Sequence, residues 1–221
     1  MSVLVYTESS KGKLKKSSLE AVSYASKVAA QLGTTATAVI IGDADVADLG
    51  KAGAKKVLKL KNDQLAGLDG ALVAKAVEQA VAAEGSDVII FAHDFSGKAI
   101  APRVAAKLKA GIVAGATELP TTSGTFSVRK NVFSGKASAV YTYNSAKKII
   151  SLLPGAFAID LSGAAAEVAD LAVNLDGVTS PIKVKEVKQM SSGINMLDTY
   201  IVVSGWRGLK SPDNWRIPEE L

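Results

Sequence analysis

The sequence predicts an α/β fold in which a parallel sheet is flanked by helices and carries an antiparallel extension. In the first half, short β-branched apolar runs alternate with stretches whose apolar residues recur at helical spacing. That order is typical of a parallel sheet built with right-handed crossovers. From Thr125 to Phe157 the helical period is absent, and short strand-like runs are separated by turn residues. These runs predict an antiparallel meander added to the sheet.

The first half is predicted to contain five strands and four helices. The fourth strand is a continuous apolar run, as a strand buried on both faces requires. Gly33 is expected to end the first helix, and Ser96 is expected to cap the start of the last one. The predicted strands are Val3–Thr7, Thr37–Ile41, Val57–Leu60, Val88–Ala92 and Ile112–Ala114. The predicted helices are Ser17–Gly33, Val46–Ala52, Gly70–Glu84 and Ser96–Leu108.

The second half is predicted to be mainly strands and to end in a separate segment. The expected meander strands are Phe126–Arg129, Ala137–Tyr143 and Lys148–Leu153, followed by strands at Val168–Val173 and Ile182–Val187. Lys188–Met196 has the composition of a linker. We therefore expect an N-terminal α/β domain over residues 1–190, and a linker with the start of a second domain over residues 191–221.

Composition excludes several classes of function. The chain of 221 residues has no cysteine and one histidine, so disulfides and thiolate sites are excluded and a zinc site is not expected. Its net charge of +5 comes from lysines spread along the chain, which disfavours nucleic-acid binding. No run approaches about 18 apolar residues, so membrane insertion is not expected. Met1 leads directly into an apolar strand, which predicts a cytoplasmic protein without a signal or transit peptide.

No catalytic set can be assembled from the residues. His93 and Asp94 follow the fourth strand, and a histidine beside a carboxylate could act as a general base, but adjacent side chains often point apart. Ser96-Gly-Lys98 could hold a phosphate but lacks the upstream glycine of a P-loop. The loop Glu8–Lys16 faces the topological switch point and carries a single glycine, so the complete domain lacks a dinucleotide fingerprint. We expect no enzyme, no catalytic residue and no metal site.

Arg207 lies between Gly205 and Gly208, after the apolar run Tyr200–Val203 and before a helix-start signal at Lys210–Asn214. A strand, a glycine loop and a helix N-terminus form the arrangement in which nucleotide folds receive a phosphate. A planar, permanently charged guanidinium suits a diphosphate. On these grounds alone, a phosphate contact and an ordinary turn with a surface arginine are equally open.

Ser204-Gly-Trp-Arg-Gly-Leu-Lys-Ser211 resembles the Ser-Gly-Gly-Arg-Gly-Leu-Lys-Ser signature of electron transfer flavoprotein α subunits. Ala101–Leu108, after the fourth strand, and Phe133–Ala137, in the meander, are similar to that family as well. The resemblance covers essentially the whole chain. It implies a Rossmann-like sheet of the adenine nucleotide alpha hydrolase-like type, whose N-terminal domain packs against a β subunit and has no cofactor of its own.

The resemblance also implies a function. The family's heterodimer carries electrons on FAD from flavin dehydrogenases, such as the acyl-CoA dehydrogenases of fatty acid β-oxidation, to a quinone oxidoreductase. FAD is held mainly by the C-terminal domain, and the signature arginine, Arg207 here, is among its ligands. Gly205 and Gly208 flank it as further cofactor-binding positions.

Three departures bear on FAD binding. Trp206 stands where the family has a glycine that permits close backbone approach to phosphate. Pro218 falls where the family continues a helix, and the chain ends at Leu221, before the family's later FAD motifs. We therefore expect an incomplete α subunit for which FAD binding by this chain alone is not expected. Two alternatives stay open: a non-catalytic heterodimerisation module without flavin, and a stand-alone nucleotide-binding domain.

Overall fold

The structure is a computed structural model that describes residues 2–10, 12–42, 44–67, 69–180, 182, 185–186 and 201–220. The chain divides into two compact units, Met1–Lys183 and Val184–Leu221. The predicted linker, Lys188–Met196, lies outside the described residues, as does the predicted boundary at residue 190.

The first unit is built on a sheet of nine strands in the order β11-β5-β4-β1-β6-β10-β7-β8-β9. From β11 to β7 every neighbouring pair is parallel, whereas β8 and β9 are antiparallel additions. This confirms the predicted α/β class and agrees with a Rossmann-like fold. The nine strands are β1 (Ser2–Thr7), β4 (Ala36–Ile41), β5 (Lys56–Lys61), β6 (Ser86–Ala92), β7 (Gly111–Ala116), β8 (Ser127–Val132), β9 (Ala137–Thr142), β10 (Lys148–Leu152) and β11 (Glu167–Ala172). Two further strands, β2 (Ser9–Ser10) and β3 (Lys13–Leu14), form a separate antiparallel pair.

Helices cover both faces of the parallel strands because these strands are apolar on both faces. Successive side chains of a strand point to opposite faces. Val3 and Val5 accordingly belong to the core beneath α1 and α2, while Leu4 and Tyr6 belong to the core beneath α3 and α4. The helices are α1 (Lys16–Gln31), α2 (Ala47–Lys51), α3 (Gly70–Glu84) and α4 (Phe95–Leu108).

The strand predicted at Lys148–Leu153 forms, but it is not the third strand of a meander. As β10 it lies between β6 and β7 and is parallel to both. Ile149 and Ile150 are fully buried on opposite faces of the sheet, as an inner parallel strand requires. The antiparallel extension is therefore a hairpin of two strands, β8 and β9. β10 returns to the interior of the sheet because its apolar residues are buried there on both faces.

The start of α4 corrects the predicted cap. Asp94, not Ser96, is the N-cap, because its Oδ1 accepts a hydrogen bond from the backbone N–H of Gly97 at 2.9 Å. The first turn of α4 also lies directly on the end of β6. A Cβ added at Gly97 would be 1.8 Å from the carbonyl oxygen of Ala92. Glycine is therefore required at position 97 for this close strand–helix connection.

The second unit consists of short turns over its described residues. Ile201–Val203, part of an expected strand, have no strand structure. In the strand predicted at Ile182–Val187, Ile182, Lys185 and Glu186 have none either, and the rest of that range lies outside the described residues. Two 3-10 turns, Arg207–Leu209 and Pro212–Trp215, precede α5 (Arg216–Glu219).

The helix-start signal in this unit is confirmed. Ser211 caps the second turn, and its Oγ accepts a hydrogen bond from the N–H of Asp213 at 3.3 Å. Pro218, expected to disrupt a helix, lies in the first turn of α5, where backbone N–H groups have no intrahelical acceptor. Its ring therefore removes no hydrogen bond from this short helix.

We expect the substitution Gly97→Ala to lower the free energy of unfolding by about 3 kcal/mol, because the new methyl group collides with backbone rather than with a movable side chain. Gly70→Ala is the matched control. It lies in the first turn of α3, and the nearest atom to an added Cβ is Nη1 of Arg103 at 3.6 Å. Urea denaturation of both variants measures the difference, and equal stabilities would contradict this account of the β6–α4 connection.

Candidate functional site

The topological switch point of the sheet lies between β1 and β6. The chain moves outward from β1 to β4 and β5, and then returns to add β6 on the other side of β1. Ligands of open α/β folds bind in the crevice that forms at the carboxyl ends of such strands. Here the start of α1, which follows β1, contacts the N-cap of α4, which follows β6, since the Ser17 Oγ donates to Asp94 Oδ2 at 3.1 Å.

Side chains of the protein fill this crevice. Glu8 is buried and accepts a hydrogen bond from the Tyr6 hydroxyl at 3.1 Å, and it forms an ion pair with Lys15. Ser18 Oγ accepts from the Glu8 backbone N–H at 2.9 Å. Burial, and then the Glu8 carboxylate, raise the pKa of Tyr6, which keeps its hydroxyl a neutral donor.

The cavity that remains at the crevice has a volume of about 10 Å³ and is lined by Tyr6, Glu8, Ser18, Ala92, Asp94 and Gly97. This space holds about one water molecule, whereas small-molecule sites measure roughly 300–1,000 Å³. Two carboxylates border it, and they would repel a phosphate. The geometry therefore does not fit the alternative of a stand-alone nucleotide-binding domain at this edge.

His93 and Asp94 do not form an acid–base pair. The imidazole Nδ1 is 2.8 Å from the Ser151 Oγ, and the His93 N–H donates to the Leu152 carbonyl at 2.7 Å. Asp94 instead bonds Gly97 and Ser17, so its contacts are with the starts of α4 and α1. His93 thus joins the carboxyl ends of β6 and β10, whereas Asp94 joins the starts of α4 and α1.

The environment of His93 favours its neutral form. Burial lowers the pKa of the imidazole, and the Lys98 and Lys130 ammonium groups lower it further, while Asp94 acts in the opposite direction. Ser96-Gly-Lys98 is not arranged to hold a phosphate either, since the Asp94 carboxylate already occupies the start of α4. Over the part of the chain that the structure describes, no group of three His, Asp or Glu residues could hold a metal ion.

Arg207 begins the first 3-10 turn of the second unit, and its side chain is exposed. The turn is closed by a hydrogen bond from the Leu209 N–H to the Trp206 carbonyl at 2.9 Å, and by one from Lys210 to the Arg207 carbonyl at 3.1 Å. Lys210 is also exposed and adopts a left-handed φ of 62°. Two cations, three residues apart, thus face solvent from one short turn.

The two predicted glycines have different surroundings. A Cβ at Gly205 would lie 2.4 Å from Cζ3 of Trp215 and 2.7 Å from Cδ1 of Leu209, so the Trp215 ring packs directly on the backbone there. A Cβ at Gly208 would meet nothing within 4 Å. Neither glycine has a left-handed φ. Gly205 is therefore explained by close packing, while Gly208 leaves an open stretch of backbone beside Arg207.

Trp206 causes no conflict in the loop. Its φ of −133° and ψ of −178° are extended values that any residue adopts, and its indole is 84% exposed. The loop therefore needs no positive φ at this position, and the indole is turned to solvent.

The loop fits part of the FAD that the resemblance implies. Arg207 and Lys210 line an open surface depression together with Gly205, Trp206, Leu209, Ser211, Pro212 and Trp215. A guanidinium and an ammonium group are suited to a diphosphate. Within the described residues the depression does not enclose a flavin ring. Sequence reasoning missed Lys210 as a second cation; its position in the Arg-Gly-Leu-Lys motif was the available signal.

No helix among the described residues is long and apolar enough to cross a membrane. Residues 3–176 match the family model described as "Electron transfer flavoprotein domain". The chain is 28% identical to the electron transfer flavoprotein subunit alpha of Syntrophomonas wolfei subsp. wolfei over an alignment of 222 positions, which covers 98% of this chain and 68% of that protein.

Two further relatives give a similar result. Protein FixB of Clostridium saccharobutylicum is 27% identical over an alignment of 226 positions, which covers 99% of this chain and 68% of its own length. The electron transfer flavoprotein subunit alpha of Bacillus subtilis is 26% identical over 179 residues, covering 76% of this chain and 52% of its own length.

We expect the protein to lose stability as the pH falls below about 6.5, the pKa of an unfolded histidine. The pKa of His93 is lowered in the folded state, so the unfolded chain binds more protons below that pH and unfolding is favoured. His93 is the single histidine of the chain, which isolates the effect. His93→Gln should flatten the change in unfolding free energy between about pH 7.5 and pH 5.5. Equal slopes for both proteins in urea denaturation would contradict this interpretation.

Proposed function

Because the chain belongs to the electron transfer flavoprotein family, we propose that it is an α subunit that pairs with a β subunit and helps to hold FAD. The observation that carries the proposal is the family match over residues 3–176, together with α-subunit relatives that align over nearly the whole chain. The complete carrier would take electrons from acyl-CoA dehydrogenases and other flavin dehydrogenases of the cytoplasm and pass them to a quinone oxidoreductase.

The closed crevice supports a role for the first unit as a platform without a cofactor. The carboxyl ends of β1 and β6 hold Glu8, Tyr6 and Asp94 where a nucleotide would lie, and about 10 Å³ is left. The close contact between Gly97 and the Ala92 carbonyl also holds the start of α4 against the carboxyl end of β6. The unit therefore presents surfaces to a partner rather than a pocket to a ligand.

The second unit would supply the cofactor contact. Arg207 would bind the FAD diphosphate by charge-assisted hydrogen bonds, and Lys210 would add a second positive charge. Gly208 leaves the backbone beside Arg207 accessible, and Gly205 positions the loop against Trp215. FAD, when bound, supplies the oxidation and reduction, while these residues bind and orient it.

A second candidate is a subunit that pairs with a β subunit but holds no flavin. The openness of the Arg207 surface favours it, because an exposed depression gives a flavin ring little shelter. The two candidates differ in whether the assembled complex is coloured.

The two candidates are separated by gel filtration of the chain with FAD, alone and with a purified electron transfer flavoprotein β subunit. We expect a complex that elutes with visible flavin absorbance. A colourless complex would favour the heterodimerisation module. If no complex forms, both candidates fail.

We expect Arg207→Ala to weaken FAD binding by the complex by about 1.5–3 kcal/mol, or roughly ten- to a hundredfold, because a hydrogen bond to a charged group is lost. Flavin fluorescence titration measures the change. Arg216→Ala is the matched control, since Arg216 is an exposed arginine of the same unit whose Nε is 2.6 Å from the Glu220 carboxylate. Unchanged binding in Arg207→Ala would exclude the proposed contact.

A further inference from the structure

The two tryptophans of the chain both line the surface depression of the second unit, but they are held differently. The ring of Trp215 packs on the backbone of Gly205, where an added Cβ would lie 2.4 Å from Cζ3 of the ring. The indole of Trp206 is 84% exposed, whereas Trp215 is 48% exposed. Trp215 therefore stabilises the loop, while packing within the described part of this unit gives Trp206 no such role.

The backbone of Trp206 is fixed, although its side chain is not packed. Its carbonyl accepts a hydrogen bond from the Leu209 N–H at 2.9 Å, and the Leu209 carbonyl accepts one from Asn214 Nδ2 at 2.6 Å. Its extended φ and ψ place it directly before the turn that begins at Arg207. The indole thus projects from a defined point of the loop, so little backbone ordering is needed when a ligand covers it.

The side chains that line the depression indicate the kind of ligand that it suits. Two of them are aromatic, two carry positive charges, and none of the described residues of the lining is acidic. The depression has a volume of about 640 Å³, within the range of roughly 300–1,000 Å³ that small-molecule sites occupy. A ligand that matches this lining is anionic in one part and planar and apolar in another.

A nucleotide that contains a diphosphate has both of these properties. Guanidinium and ammonium groups bind phosphate oxygens by charge-assisted hydrogen bonds. The planar ring of a nucleotide stacks on an exposed aromatic side chain, because every such ring has a π face. Trp206 and Arg207 are adjacent in the chain and line the same depression, so one ligand can contact both of them.

A protein partner is a poorer match for this surface. Tryptophan and arginine are common at the energetic centres of protein interfaces, but there they lie in well-packed, desolvated positions. In this depression two cations, Arg207 and Lys210, accompany an indole that is exposed. A diphosphate satisfies both positive charges at once, which favours a nucleotide over a protein segment.

We propose that Trp206 is a stacking platform for a planar ring of FAD, beside the diphosphate contacts of Arg207 and Lys210. This inference rests on the proposed function, since it takes FAD as the ligand. It also goes beyond the resemblance, because the family signature has a glycine at this position and offers no ring there. Trp206 thus adds to the affinity for FAD instead of obstructing it. FAD has two planar rings, the isoalloxazine and the adenine, and either is chemically suited to the indole.

The substitution Trp206→Gly gives the sharpest test, because it introduces the residue of the family signature. An indole that obstructed FAD would make this variant bind FAD more tightly. We expect the opposite result for the complex with a purified electron transfer flavoprotein β subunit. FAD binding, measured by titration calorimetry, should weaken at least about tenfold, since stacking on the indole is lost.

Two further variants separate stacking from the backbone freedom that a glycine adds. Trp206→Leu keeps an apolar side chain without a ring, and it should lose affinity for FAD as Trp206→Gly does. Trp206→Phe keeps a ring and should recover part of the loss. Ile217→Ala is the matched control, because Ile217 is a 60% exposed apolar residue of the same unit that is not part of the lining. We expect Ile217→Ala to bind FAD as the unaltered chain does, and thermal unfolding checks that each variant is folded.

Fluorescence of the bound flavin identifies which ring stacks on Trp206. An indole stacked on the isoalloxazine quenches flavin fluorescence. A loss of affinity in Trp206→Leu together with brighter bound flavin therefore assigns the contact to the isoalloxazine. The same loss with unchanged flavin fluorescence assigns it to the adenine, and both results support the stacking platform.

Other results would overturn the stacking platform. Unaltered or tighter FAD binding in Trp206→Gly and Trp206→Leu would do so and leave the proposed function intact, as would an equal loss in Ile217→Ala. If Trp206→Leu lowers the affinity for the β subunit and leaves FAD binding unaltered, Trp206 is a protein contact instead. Absence of FAD from the unaltered complex would overturn both the platform and the proposed role in holding FAD.

Discussion

The structure depends on the burial of the central parallel strands on both faces. β1 is apolar along its length, and its alternate residues enter two separate cores. Each core needs a layer of helices, which is why the chain crosses over one face from β1 to β5 and then over the other to reach β6. The switch point follows from this requirement, since the two directions of winding must meet somewhere. Here they meet at a crevice that Tyr6, Glu8 and Asp94 fill.

Closure of that crevice connects the fold to the proposed role. A buried carboxylate is costly unless it is paired and hydrogen-bonded, and Glu8 has both Lys15 and Tyr6 as partners. The same groups remove the space and the positive charge that a phosphate ligand needs. Under the proposed function, the cofactor contact is therefore expected from the separate unit that contains Arg207 and not from this crevice.

Periodicity was sufficient to predict the first half of the sheet. The helix predicted at Gly70–Glu84 has the same bounds in the structure, because apolar spacing and flanking turns both mark its ends. Strand direction was harder to predict: β10 was expected in the meander, although its adjacent apolar residues Ile149 and Ile150 were a signal for a strand buried on both faces. Ser96 and Asp94 are both good capping residues, and backbone geometry decides between them. The roles of Gly205, Arg207 and Gly208 come from a resemblance, since a short glycine loop alone does not specify a ligand.

The insertion of β10 between β6 and β7 has a consequence for the order of folding. β7 has no pairing with β6, so the strand that joins them comes from residues 148–152, after the whole β8–β9 hairpin has been traversed. At the other edge, β11 pairs with β5, more than a hundred residues earlier in the sequence. Contacts between distant parts of a chain close large loops and slow folding. A nascent chain that has emerged only as far as β7 therefore carries an open sheet with unpaired edges on both sides of the gap. Such a chain is vulnerable to wrong pairing until β10 arrives, and chaperone protection during synthesis is most valuable in that interval.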